Sequence, residues 1–284
     1  MGAPVTEPGP DPARRERVYR TRPGTAMIGP YSVHQMDDFY AALAVGQVRP
    51  SGIMNYVQRL YIADRCPPGA KVVDVCCGRA LQLPVLYRYA PHLSLYVGLD
   101  IAPANLAEAW ARAALLDEHY GGRPFDVEFI ECDVSGAWPD IGPCDVAVYT
   151  SALEHLPPEA AVASLEQCAA GLGEDGRLFL STPNSVGQQP RLLQHGVHVH
   201  EWNEQELRPV LAEAGFVIEE IVGLNPPAPQ VVSGALAERF GPGAVGWYEE
   251  LLRVVPGPFL DTIAAAAVPD VALEQLYVCT RRSR

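Results

Sequence analysis

From Lys71 onward, the chain alternates short runs of β-branched residues with Ala-, Leu- and Glu-rich stretches of helical length. This alternation is typical of a parallel sheet covered by helices, so it predicts an α/β fold. We expect strands at Lys71–Cys76, Ser94–Asp100, Asp126–Cys132, Cys144–Thr150, Arg177–Thr182, Phe216–Gly223 and Gln275–Arg281. We expect helices near Ala80–Tyr89, Pro103–His119, Pro158–Leu172 and Asn203–Ala214.

Two segments precede the first predicted strand. Residues 1–24 combine Pro, Gly and charge with few large apolar groups, so we expect a flexible leader. Residues 25–70 are expected to form N-terminal cap helices. One of these helices is predicted to bury an apolar face made of Ile53, Tyr56, Val57, Leu60 and Tyr61.

The rest of the chain, residues 71–284, is expected to form one catalytic domain that contains the sheet. Residues 224–272 interrupt this domain before its last strand and are rich in Pro, Gly and aromatic side chains. Such a long excursion suits a packed lid more than a disordered linker, so we expect a lid insertion there. A purely structural role is the alternative for this insertion.

Charge and apolar content restrict the partners and the compartment. The 284 residues carry a formal charge of −13 without any Lys/Arg run, so repulsion by phosphates disfavours nucleic acid as a partner. No apolar run reaches the roughly 18 residues that cross a bilayer, so no membrane segment is expected. The seven cysteines are odd in number and mostly lie in apolar segments, which suits reduced thiols. We therefore expect a cytoplasmic protein.

The first predicted strand ends in a turn of small residues, Cys76–Ala80, that opens a helix. Such a turn lets the backbone approach a ligand and directs helix N–H groups towards it. Asp100 ends the next strand at the spacing where a carboxylate accepts hydrogen bonds from ribose hydroxyls, and Asp133 follows the third strand, where it would face an adenine amino group. These features together predict a nucleotide-type cofactor site.

The segments VVDVCCGRA, GLD, ECDV, CDVAVYTSALEHLPP and GRLFLSTPN resemble, in order and spacing, the five motifs of class I S-adenosylmethionine (SAM)-dependent methyltransferases. The resemblance implies a Rossmann-like seven-stranded sheet with helices on both faces, and SAM as the cofactor. Cys76 and Ala80 stand where the family has glycines, which puts only the turn geometry in question. The cofactor-binding residues that the resemblance implies are Asp74, Cys76, Cys77, Gly78, Asp100, Ile101, Cys132, Asp133, Val134 and Thr150.

Three candidate catalytic residues, Glu154, His155 and His198, follow the fourth and fifth predicted strands. The chain is similar here to ubiquinone-type O-methyltransferases and small-RNA 2′-O-methyltransferases, where a Glu-x-x-Glu-His segment and a later His hold a divalent metal at the acceptor hydroxyl. It departs at Ser151, where the first glutamate is expected. Because this change removes a charge and a ligand, we expect no metal site. Metal binding, base catalysis and a purely structural role stay open for the three residues.

The sequence as a whole predicts a SAM-dependent methyltransferase that acts on a small-molecule acceptor, with a hydroxyl favoured over an amine or a carbon. High Ala, Pro and Arg usage with little Lys is typical of a GC-rich bacterial genome and suggests a role in natural-product biosynthesis. The alternatives are a SAM-binding scaffold without activity and a metal-dependent RNA 2′-O-methyltransferase. The sequence leaves the acceptor and the oligomeric state open.

Overall fold

The structure is a computed structural model that describes residues 50–185, 193–194 and 196–282. The predicted leader, 1–24, and residues 25–49 of the predicted cap lie outside these described residues. The strands are β1 Lys71–Val75, β2 Leu95–Asp100, β3 Asp126–Glu131, β4 Cys144–Thr150, β5 Leu172–Pro183, β6 Phe216–Gly223 and β7 Glu274–Arg281. They form one seven-stranded sheet in the order β3-β2-β1-β4-β5-β7-β6. β1 to β5 are parallel to one another, and β7 is antiparallel to β5 and β6.

Helices cover both faces of this sheet. Those in the described residues are α1 Pro50–Asp64, α2 Leu83–Tyr89, α3 Pro103–Tyr120, α4 Pro158–Gly171, α5 Glu204–Glu213, α6 Pro229–Phe240, α7 Pro242–Leu252 and α8 Gly257–Ala267. One buried apolar cluster joins the sheet to α4 and α5, and another joins it to α1, α2 and α3. The predicted α/β fold with two covered faces is therefore confirmed. Among the described helices, none combines the length and apolar character needed to cross a membrane.

The strand order predicts a crevice beyond the carboxyl ends of the parallel strands. From β1 the chain moves outward through β2 to β3, and it then returns to the other side of β1 as β4. In open α/β sheets, ligands bind beyond the carboxyl ends of the strands at such a reversal. The predicted cofactor turn after β1 and Thr150 at the end of β4 therefore lie at the same edge.

Two predicted boundaries moved for identifiable reasons. β5 begins at Leu172 rather than at Arg177, because Leu172 already pairs with Cys144 before a shift in register. α2 begins at Leu83 rather than at Ala80, because Ala80 has a φ of +54°, outside the right-handed helical region.

α1 corrects the predicted apolar face. Tyr56 and Val57 are exposed, at 47% and 43%, whereas Met54, Gln58 and Ile62 are buried. The helix is rotated from the predicted orientation because Gln58 faces the sheet, where its Nε2 donates to Ser181 Oγ at 2.6 Å. A polar contact with a strand end thus overrides the apolar spacing of this helix.

The predicted lid insertion, 224–272, contains α6, α7, α8 and a 3-10 turn, Pro269–Val271. Its helices bury a small apolar cluster of their own that includes Val232, Tyr248 and Leu260. α8 also contacts β6 and α1, so the insertion packs on the rest of the chain. Its function as a lid stays a prediction.

Candidate active site

The turn after β1 has backbone torsions that normally favour glycine. φ is +55° at Cys76, +53° at Gly78 and +54° at Ala80. A left-handed conformation at a non-glycine residue costs on the order of 1–3 kcal/mol, and such strain is concentrated at functional sites. A Cβ added at Gly78 would meet no atom within 4 Å, so the space in front of this residue is open. The two replaced glycines have therefore not changed the left-handed form of the turn.

Asp100 ends β2 and ties this turn to the next helix. Its Oδ2 accepts from Gly78 N at 2.8 Å, and its Oδ1 accepts from Ala102 N at 2.9 Å and from Asn105 Nδ2 at 3.1 Å. The side chain is only 6% exposed. A carboxylate offers about four acceptor positions, so one remains for a ligand hydroxyl. The sequence predicted ribose binding here but did not predict the hydrogen bonds that hold the turn.

Asp74 lies within β1 beneath the turn and is buried. Burial raises the pKa of its carboxyl group to about 7, while a hydrogen bond from Tyr96 Oη at 2.6 Å and the positive charge of Arg59 act in the opposite direction. Arg59 is carried by α1 and also faces the negative charge of Glu274. No sequence pattern indicated Arg59, because an arginine on an amphipathic helix is usually at the surface.

Cys76 and Cys77 are packed beneath the same turn. Burial raises the pKa of the Cys76 thiol to about 12 and that of Cys77 further, so both are neutral thiols. A Cβ added at Gly98 would lie 2.8 Å from Cys77 Sγ and 2.6 Å from a ring carbon of Phe129. Only glycine therefore fits at position 98.

The predicted adenine side is less uniform. Cys132 and Val134 are buried, whereas Ile101, which was predicted on the ribose side, is 65% exposed just before α3. Asp133 is exposed, and its Oδ1 accepts from the hydroxyl and backbone N–H of Ser135 at 2.7 and 3.0 Å, which lowers the pKa of its carboxyl group. In this structure Asp133 therefore forms a local turn.

β4 ends at Thr150, and the next residue, Ser151, has a φ of +50°. Ser151 Oγ donates to Glu274 Oε1 at 3.1 Å, and this carboxylate also accepts from Ser181 Oγ and from Asn225 Nδ2. Burial raises the pKa of Glu274. A carboxylate therefore lies beside the position where the resembling families carry a glutamate, but it comes from β7. Sequence spacing gave no means of finding Glu274.

Glu154 lies in a 3-10 turn, Leu153–His155, directly after β4. Its side chain accepts from Thr182 Oγ1 at 3.1 Å, and burial raises the pKa of the carboxyl group to about 7. Its backbone oxygen accepts from Val199 N and His200 N at 2.8 and 3.1 Å. The turn that carries Glu154 is thus fixed to the later loop that carries the histidines.

The structure brings Glu154, His155 and His198 together. One potential ligand atom from each of the three lies within 4.8 Å of those of the other two. The two imidazole rings are 5.0 Å apart between centroids and meet edge to face, and His155 Nδ1 lies 3.3 Å from Val197 O. The three predicted catalytic residues therefore form one cluster at the edge of the crevice.

Glu201 is a further acidic residue in contact with this cluster. Its side chain is fully buried, and its Oε1 lies 2.5 Å from His198 Nδ1 and accepts from Gln194 N at 2.6 Å. No role was predicted for it, although an acid three residues after a histidine is a pattern that the sequence does contain.

Comparison with known sequences identifies the family. The family model described as a methyltransferase domain matches residues 49–221, which is more than half of the chain. The ubiquinone biosynthesis O-methyltransferase of Xylella fastidiosa (strain 9a5c) is 32% identical over 196 residues, which cover 63% of this chain and 74% of that protein.

Two solved structures share the fold at low sequence identity. The small RNA methyltransferase HEN1 has a TM-score of 0.57 and 15% identity, covering 83% of this chain and 26% of that chain. The N-methyltransferase NodS from Bradyrhizobium japonicum WM9, in complex with S-adenosyl-L-homocysteine (SAH), has a TM-score of 0.53 and 12% identity, covering 83% of this chain and 89% of that chain. With the matching family model and the strand-end residues described above, this chain belongs to the class I SAM-dependent methyltransferases.

Proposed function

We propose that this enzyme transfers the methyl group of SAM to a hydroxyl of a small-molecule acceptor. The observation that carries the proposal is the cluster of Glu154, His155 and His198 at the crevice edge, because a hydroxyl acceptor needs a group that takes its proton. The name of the Xylella relative, an O-methyltransferase, supports oxygen as the attacked atom. An amine or carbon acceptor is the alternative.

The residues of the crevice fit SAM. The open face of Gly78 gives the backbone room to approach the methionine part, and the carboxylate of Asp100 keeps one acceptor position for a ribose hydroxyl. We assign the remaining predicted cofactor contacts to Asp74, Cys76, Cys77, Ile101, Cys132, Asp133, Val134 and Thr150. Bound there, SAM supplies an activated methyl group on a sulfonium centre.

The chain itself must align the acceptor, exclude water and take up one proton. With SAM bound, transfer of its methyl group to the acceptor oxygen would break the C–S bond and give the methyl ether and SAH. The hydroxyl proton passes to a base of the cluster. The carboxyl group of Glu154, whose pKa burial raises to about 7, suits proton uptake near neutral pH, and the imidazole of His198 is a second base in the cluster.

The resembling families imply a divalent metal at this cluster. A carboxylate and two imidazoles within 4.8 Å of one another fit a divalent cation as a three-ligand site. Glu154, His155 and His198 would hold it, and it would polarise the acceptor oxygen. Ser151 still removes the fourth protein ligand, so we propose proton uptake that does not require a metal.

We also propose that α1 and the insertion 224–272 close over the acceptor. α8 contacts α1, and Gln58 of α1 reaches Ser181 at the end of β5, so these elements meet beside the crevice edge.

The metabolic pathway of the enzyme stays open. The Xylella relative is named for ubiquinone biosynthesis, which gives no support to the expectation of natural-product biosynthesis.

The test uses SAM labelled in its methyl group and pairs of aromatic compounds that differ only in carrying a hydroxyl or an amine. We expect label in the hydroxyl member of at least one pair, with SAH as the second product and transfer retained in chelator. Transfer to amines alone would overturn the hydroxyl acceptor. Tight SAM binding without transfer to any acceptor would favour the scaffold, and transfer restricted to RNA ends with added metal would favour the RNA enzyme.

A further inference from the structure

Glu201 contacts the cluster of Glu154, His155 and His198 through the imidazole of His198. Its carboxylate lies in the loop after β5, and its Oε1 contacts both His198 Nδ1 and the backbone N–H of Gln194. The side chains of Glu201 and His198 are 0% and 6% exposed, so water contributes little to this contact. A short, buried contact between a carboxylate and an imidazole fixes the ring in one orientation.

The chemistry of the contact also fixes where the ring proton lies. A carboxylate accepts hydrogen bonds and donates none, so the nitrogen facing Glu201 must be protonated. In the neutral ring the lone pair then lies on Nε2, the nitrogen on the side away from Glu201. A lone pair is what His198 needs, whether it takes a proton from the acceptor or binds a cation.

The rest of the loop is arranged to keep this orientation. Val199 N and His200 N donate to the backbone oxygen of Glu154, which holds the loop on the 3-10 turn of the cluster. At its other end, Ser185 Oγ donates to the backbone oxygen of Glu201. The loop is thus anchored between His198 and Glu201 and at Glu201 itself.

We propose that Glu201 is a positioning residue that selects the Nδ1–H tautomer of His198 and thereby directs its Nε2 lone pair to the acceptor site. The inference rests on the proposed function for its consequence in catalysis, but the tautomer is a property of the protein without acceptor.

The first test measures the tautomer directly. Protein labelled with ¹⁵N-histidine is examined by long-range ¹H–¹⁵N correlation at mildly alkaline pH, and His198 is assigned by the loss of its signals in His198→Gln. We expect the wild-type ring proton on Nδ1 and its transfer to Nε2 in Glu201→Leu, with the exposed Glu213→Leu as a control that changes nothing. A wild-type proton on Nε2, or a His198 pattern unaffected by Glu201→Leu, would overturn the inference.

The second test covers the case in which Glu201→Leu does not fold. Glu201→Gln has nearly the same shape, and SAH binding checks its fold. We expect kcat to fall about 10- to 100-fold with the KM for SAM unchanged, as for other partners of ligating or catalytic histidines. The same substitution should have no further effect in a His198→Gln background. Equal losses in both backgrounds would assign Glu201 a purely structural role, and failure of methyl transfer altogether would leave the tautomer result standing.

Discussion

The proposed cofactor end of the site, around Gly78 and Asp100, and its proposed acceptor end, around Glu154 and His198, are built in different ways. At the cofactor end, Asp100 and Gly78 are 22 residues apart and belong to neighbouring strand ends. At the acceptor end, His155 contacts a loop residue 42 positions away, and Ser151 contacts Glu274 across 123 positions. The cofactor end is therefore a local structure, whereas the acceptor end depends on elements from the whole second half of the chain.

The two ends also differ in how their carboxyl groups are surrounded. Asp100 accepts three hydrogen bonds from its own neighbourhood, two of them from backbone N–H groups. Glu154, Glu201 and Glu274 are all buried around the acceptor end, and burial raises the pKa of Glu154 and Glu274. Burying carboxylates is costly, and proteins accept such a cost mainly at functional sites. Asp74 at the cofactor end is also buried with a raised pKa, so both ends carry this cost, and the acceptor end differs in burying three glutamates together.

The largest expected effect is a loss of kcat without a loss of SAM affinity, caused by a change at the acceptor end. His198→Ala should lower kcat by about 10²- to 10⁴-fold, because it removes a proton acceptor, and should leave SAM affinity unchanged. Steady-state rates and calorimetric titration with SAM measure both quantities, and His119→Ala on α3 is the control. A parallel loss of SAM affinity would mean that the two ends cannot be treated separately.

The next effect concerns stability against pH at the cofactor end. The pKa of Asp74 is raised to about 7 in the folded chain, so the folded state keeps its proton where the unfolded state has lost it. The free energy of unfolding should therefore fall as pH rises from about 4 to about 7, by roughly 4 kcal/mol at most from this group. Asp74→Asn, which keeps an acceptor for Tyr96, should show a smaller fall. Denaturant unfolding without SAM measures this, and parallel curves for both proteins would contradict it.

A smaller effect is expected from Asp100→Asn. In asparagine, an NH2 group replaces one of the two carboxylate oxygens and cannot accept a hydrogen bond. The hydrogen bond from either Gly78 N or Ala102 N is therefore lost. We expect SAM affinity to fall by about 1–3 kcal/mol, while kcat at saturating SAM is retained. Calorimetry with SAM and SAH measures the loss. Unchanged affinity would remove Asp100 from the cofactor site.

The smallest effect tests the helix that follows the acceptor loop. Asn203 caps α5 in a capping box with Glu206, and Asn203→Ala should lower the free energy of unfolding by about 1 kcal/mol. Thermal unfolding measures the change, and SAM affinity should be unaffected. A tenfold loss of kcat in this variant would show that the cap also positions the loop of His198.

Most of the fold was predictable because its signals are local. Seven strands were expected within a few residues of where they lie, and the Cys76–Ala80 turn was expected to be a close backbone approach. The exceptions arise from contacts between distant segments. β5 begins early because Leu172 pairs with Cys144, and α1 exposes Tyr56 because Gln58 contacts Ser181.

In the candidate site, too, the features with short-range sequence signals were predicted, and the contacts between distant segments were not. The sequence by itself determined the α/β fold, since periodicity, turn residues and strand ends are short-range properties, and its resemblance to known families supplied the motif order and the candidates Glu154, His155 and His198. Only the tertiary structure decided that Glu201 contacts His198, that Glu274 lies beside Ser151, and that Arg59 faces Asp74. The physical reason is that burial and distance set the energies of charged groups, and neither can be calculated before the chain has brought its distant segments together.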